Sequence, residues 1–122
     1  VHDAQFFLYF DYDGNMEENE VVRALAALAH PARLQAFRSL VVAGQPGLTP
    51  GAMAAALGLP PATLSFHLKE LVHAELVTQE RVGRNLVYRA AYDRMNGVLA
   101  YLTAHCCQGA ECASVPAETC HC

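Results

Sequence analysis

The stretch TPGAMAAALGLPPATLSFHLKELVHAEL, residues 49–76, limits the fold more than any other part of the chain. Thr49 offers the side-chain oxygen of a helix N-cap, and Pro50 suits the first helical position. The helix they open must end near Gly58, and Pro61 begins another after the turn GLPP. In that second helix Leu64, Leu68 and Leu71 recur on one face, with Val72 extending the stripe, while Thr63, Ser65, Phe66 and Lys69 occupy the other. Ala54, just before the turn, is small enough for the two helices to approach closely, and Leu64, just after it, pins the second against the first. These constraints agree on a helix-turn-helix rather than a generic antiparallel helix pair.

The next sixteen residues narrow the fold further. LVTQERVGRNLVYRAA, residues 76–91, alternates apolar and polar residues on both sides of VGRN, the pattern of a β-hairpin, with Gly83 and Asn85 available for positive φ in the turn. A hairpin directly after a recognition helix is a wing, and Arg81, Arg84 and Arg89 lie where arginine reaches phosphates or a narrow minor groove. The net charge of −4 looks wrong for a nucleic-acid binder until it is divided along the chain. Residues 1–30 hold six acids against Arg23, a balance of −5, and residues 95–122 add Glu111 and Glu118. Residues 31–94 carry seven bases and four acids, so the predicted DNA-binding unit is +3, and local charge is what meets phosphate. Thr63, Ser65, Phe66, Lys69, Arg81 and Arg84 are the candidate contacts to double-stranded operator DNA.

Upstream, MEENEVVRALAALA begins a helical pattern at Met16 with Val21, Leu25 and Leu28 on one face, and Pro31 opens a second helix through about Val42, broken by GQPG at 44–47. The expected architecture is therefore mainly α with a small β-hairpin: a winged helix-turn-helix of about five helices plus a two-stranded wing. With 122 residues, 53% of them hydrophobic, the chain suits a single domain with its own core. Residues 16–104 are read as the DNA-binding and dimerisation domain, 105–122 as a cysteine-rich sensor tail, and 1–15 as a vector-derived or extra N-terminal segment. No apolar run approaches the roughly 20 residues of a membrane span, and no secretory pattern opens the chain, which points to a soluble cytoplasmic protein.

Three stretches together resemble the ArsR/SmtB family of metalloregulatory winged-helix repressors. LAALAHPARLQAFRSL looks like the family's helix with its D/H-P-x-R start, LSFHLKELVHAELV is similar to its S-x-H-L-x-x-L recognition helix, and RVGRNLVYR is similar to its wing. The resemblance runs from about Glu20 to Leu102. It implies a homodimer that represses a resistance operon and leaves DNA when a metal or metalloid binds. The family's sensor sites lie in different places; one of them is missing here and half of another. The E-L-C-V-C-D-L box corresponds to LTPGAMAAALG, without cysteine, and the zinc pattern Asp-x-His, then His and an acid or His, is reduced to Asp93, Met95, His105 and Gln108. The usual arginine after the recognition-helix serine is Phe66, an aromatic suited either to a thymine methyl or to the core. His30, ahead of Pro31, reads as an N-cap or packing residue, and His67 as a partly buried brace of the recognition helix.

The remaining sensor candidate is the end of the chain. All five cysteines, Cys106, Cys107, Cys112, Cys120 and Cys122, fall after residue 105. An odd number crowded at one end does not make a disulfide scaffold. A last helix, about Tyr92 to Ala104, places Met95, Leu99 and Leu102 along one face with Val98 beside them, as a dimer interface requires. Cys106 and Cys107 sit where it ends. Neighbouring side chains on a helix diverge by about 100°, so the two thiols converge only if the helix frays there; Gly109 permits a turn that returns Cys112. Three thiolates suit a soft centre, and trivalent arsenic or antimony takes three sulfurs in a pyramid. Cys106, Cys107 and Cys112 are thus the expected ligands, with Cys120, His121 and Cys122 in a secondary role. The alternatives on the same fold are a thiol redox or persulfide sensor and a soft-metal sensor for cadmium or zinc. An enzyme using a cysteine with His105 lacks any accompanying oxyanion or substrate motif, so neither catalysis nor a required cofactor is expected beyond the inducer.

Overall fold

The computed structural model describes residues 16–106; residues 1–15 and Cys107, Cys112, Cys120, His121 and Cys122 lie outside the described residues. The elements run α1 (Glu18–Leu28), α2 (Pro31–Ala43), α3 (Pro50–Leu57), α4 (Pro61–His73), β1 (Val77–Val82), β2 (Asn85–Ala90) and α5 (Tyr92–Thr103). Among the described residues, five helices and a two-stranded antiparallel sheet match the expected winged helix-turn-helix.

Local chemistry sets most boundaries. His30 is the N-cap of α2, its Nδ1 accepting the Ala32 amide at 3.1 Å, with Pro31 behind it. Thr49 caps α3 in the same way through Ala52, and Gly58 closes that helix in the left-handed region at φ 67°. The core gathers Ala36, Phe37 and Leu40 of α2, Met53 of α3, Leu64, Leu68 and Leu71 of α4, and Leu76 and Val77 leading into the hairpin. Against it α1 lays Val21, Ala24 and Ala27, and α5 lays Val98. The expected seam on α1 needs correction, because Leu25 is exposed. Alanines carry that contact: a short side chain lets the helices approach, and the larger Val22 and Leu25 are left facing outward.

The hairpin is tighter than the sequence suggests. Val82 pairs with Asn85, so Gly83 and Arg84 alone form the turn. Gly83 takes positive φ, 65°, and Asn85 does not, since it is already a ladder residue. A bridge from Leu48 to Tyr88 ties the loop before α3 to β2, through amide–carbonyl bonds of 3.0 and 2.8 Å. Gly47 makes this approach feasible. Its φ is 68°, and a Cβ there would stand 2.5 Å from the Tyr88 carbonyl oxygen.

Candidate nucleic-acid interface

At the turn of the motif α3 is closed by the Gly58 amide and the Leu59 amide, both donating to the Ala54 carbonyl. Pro60 then precedes α4 without a side-chain cap, leaving the Ala62 and Thr63 amides open at the helix N-terminus. With Leu64, His67, Leu68 and Leu71 turned into the core, Thr63, Ser65, Phe66 and Lys69 are all exposed. Phe66 is 57% exposed, which decides between its two readings: it is not a core residue. Ala62 and His73 share its outward stripe, at four residues before and seven after, and no motif in the sequence singles them out.

Behind this face lies a clamp. His67 is buried, its ring centroid 4.6 Å from that of His30 and 5.6 Å from that of Phe66 in an edge-on arrangement. The Arg33 guanidinium reaches the His67 Nδ1 at 3.5 Å while its Nε–H donates to the Ala27 carbonyl at 2.6 Å. Burial, then the neighbouring His30 and Arg33, hold the His67 pKa below its ordinary value of 6.5, against a weaker opposing pull from Glu70. A neutral ring with Nδ1 as acceptor suits that position, as the bracing role expected of His67 requires. Arg33 is the member of the clamp that sequence spacing does not announce. Its one signal is the fourth position of His30-Pro31-Ala32-Arg33.

The wing sorts its arginines. Arg81 and Arg84 are exposed, and among the described residues neither they nor Lys69 are ion-paired. Arg89 differs from expectation: its Nε donates to the Gln45 carbonyl at 2.6 Å and its Nη1 to Glu80 at 2.7 Å. Arg89 therefore fastens the loop before α3 to the wing and neutralises a carboxylate there, rather than facing a phosphate. A second guanidinium, Arg94 at the start of α5, bridges Glu75 just past α4 and Glu20 of α1, the latter at 3.6 Å.

The last helix, α5, stops at Thr103. Ala104 leaves the helix at φ −60°, ψ 134°, and His105 takes φ 60°, so the half-buried Cys106 is not on a continuous helix. Among the described residues no group of three His, Cys, Asp or Glu side chains is placed to hold a metal ion. Met95 and Val98 pack inward, whereas Leu99, Tyr101 and Leu102 are exposed, as are Val22 and Leu25 on the neighbouring α1. No described helix is long and apolar enough to cross a membrane.

The family model of a helix-turn-helix domain matches residues 28–80. An ArsR-like transcriptional regulator from Rhodococcus sp. RHA1 superposes with a TM-score of 0.62 at 26% identity, covering 69% of this chain and 76% of that one. A fragment of a Mycobacterium bovis transcriptional regulatory protein is 31% identical over 70% of this chain and 91% of its own, with a TM-score of 0.54. Its solution structure is that of a homodimeric winged helix-turn-helix domain from a possible ArsR-family regulator, matched at 27% identity, 77% and 87% coverage and a TM-score of 0.57. The chain belongs to the ArsR family of winged helix-turn-helix transcriptional regulators. A structure described as a possible transcriptional regulator for arsenical resistance matches at 27% identity, covering 66% of this chain and 81% of that one, with a TM-score of 0.58. No curated protein matches the chain. As an ArsR-family member it is a DNA-binding regulator and not an enzyme.

Proposed function

We propose that this ArsR-family chain is a cytoplasmic, metalloid-responsive repressor that binds operator DNA as a homodimer and is released when trivalent arsenic or antimony binds Cys106, Cys107 and Cys112. The observation that carries the reading is the end of α5: the chain leaves the helix at Ala104, two residues before Cys106, on a helix whose Leu99, Tyr101 and Leu102 are exposed. A continuous helix would splay adjacent thiols about 100° apart; a broken one lets them meet a single atom. The exposed apolar side chains Val22 and Leu25 of α1 and Leu99, Tyr101 and Leu102 of α5 are the residues that would pair two copies. The homodimeric state of the Mycobacterium bovis fragment supports that pairing, and the arsenical-resistance description of another relative supports the inducer.

DNA contact then falls to α4 and the wing. Thr63, Ser65 and Phe66 meet base edges, while Lys69, Arg81 and Arg84 meet phosphates. Ligation at the α5 end alters the dimer seam, so the two recognition helices no longer match half-sites about one helical turn apart. Turning occupancy from mostly bound to mostly free takes up to about 5.5 kcal/mol of differential affinity, within reach of three sulfur bonds. The test is a DNA-binding titration with arsenite, antimonite, zinc, cadmium and peroxide side by side. Release at low arsenite or antimonite supports the proposal; release by peroxide or by zinc and cadmium alone replaces it with a redox or divalent-metal sensor.

A further inference from the structure

Resting on the reading of α4 as a DNA-recognition helix, we infer that Phe66 is a specificity-determining residue of that helix and that it recognises the 5-methyl group of a thymine in the major groove. Placement comes first. At about 100° per residue, Phe66 lies some 200° round the helix from Leu64, near the middle of the face opposite the core. Exposure agrees: Leu64 is fully buried and Phe66 is 57% exposed. Thr63 and Lys69 stand three residues to either side and Ala62 and Glu70 four, so a large apolar ring sits among small, polar and charged side chains.

The ring is also prepared for contact. It meets the buried His67 imidazole edge-on at 5.6 Å, and His67 is itself fixed by His30 and Arg33. A phenyl ring with only two side-chain torsions and one flank already packed loses little freedom on binding. Phenylalanine has no hydrogen-bonding atom. Among the groups that the four base pairs present in the major groove, the thymine methyl is the largest apolar one, cytosine offering only a C5–H at the same place; the N and O groups are donors or acceptors that Phe66 would strip of water without replacing the bond. Burying one methyl group changes an equilibrium about fourfold, and the unpaired polar edge left by another base adds to that discrimination. Thymine selectivity therefore follows from the side chain's chemistry and exposure.

Uracil tests this directly, since it differs from thymine only by the methyl. Duplexes bound by the full chain are selected from a randomised library, and each thymine of the enriched sequence is replaced in turn by deoxyuridine. For the wild type, one thymine per half-site should show about a fourfold loss; Phe66→Ala should bind more weakly and show no uracil penalty there, while Phe66→Leu keeps part of it. An unchanged thermal midpoint and helical circular dichroism check that these exposed-site variants fold. Equal uracil penalties in wild type and Phe66→Ala, or no penalty in the wild type, would overturn the inference. If the wild type enriches no sequence at all, the DNA-binding reading falls with it, and that outcome is visible before any variant is made.

Discussion

His67 is buried behind the recognition face, yet its protonation state bears on the helix that carries that face. Its pKa is lowered in the fold, mainly by burial and then by His30 and Arg33, so between that lowered value and the ordinary 6.5 the unfolded chain binds a proton that the folded chain does not. Its contribution to stability is fully present above pH 6.5 and is lost as the pH falls below it. Urea midpoints between pH 7.5 and 5.5 should decline, and His67→Gln should flatten the decline. An unchanged slope in that variant would show that His67 is not its source. Lys69 and Arg84 are a different kind of residue, exposed and without ion pairs among the described residues. Substituting either by alanine should weaken binding to all DNA sequences alike and lower the salt slope by about 0.9, measured as affinity against salt concentration. Weakening confined to one operator base would make the residue a base reader.

Among the helices and strands, the features legible in the sequence are those that neighbouring residues decide. The caps at His30 and Thr49, the proline starts at Pro31, Pro50 and Pro61, and the left-handed Gly58 each depend on a few adjacent residues, and each is where the sequence places it. Contacts between distant residues are not legible in this way. GQPG is readable as a helix breaker, but its second task needs Tyr88: Gly47 lets the Leu48 backbone pair with β2. Arg89 reads as a wing cation because nothing local announces its bonds to Gln45 and Glu80, and the Arg94 bridge between Glu20 and Glu75 joins elements from opposite ends of the domain. Leu25 is misplaced by periodicity for another reason, since hydrophobic spacing fits Leu25 as well as Ala24 and only close packing chooses the smaller residue. Gly47→Ala should therefore destabilise the domain by about 2–3 kcal/mol, combining left-handed strain with the clash on Tyr88. Chemical unfolding would register it, and a loss of less than about 0.5 kcal/mol, the range of an ordinary surface substitution, would mean that the loop and β2 separate freely.

The proposed regulation joins three regions: the exposed face of α4 with the wing, the exposed apolar residues of α1 and α5, and the cysteines that begin just past α5. Membership of the family supports DNA binding through the helix-turn-helix. The proposed sensor turns on thiols of which Cys106 alone falls among the described residues. Since Cys106, Cys107 and Cys112 lie beyond the matched helix-turn-helix residues 28–80, replacing any of them by serine should leave repression intact and abolish release, because a site with two sulfurs cannot hold arsenic as three do. Fluorescently labelled operator DNA, followed during an arsenite titration of the wild type and the three single serine variants, puts the sensor to trial in one assay. A three-thiol site predicts release from the wild type and retention by all three variants at arsenite concentrations that empty the wild-type complex. Normal release by Cys112→Ser would contradict it.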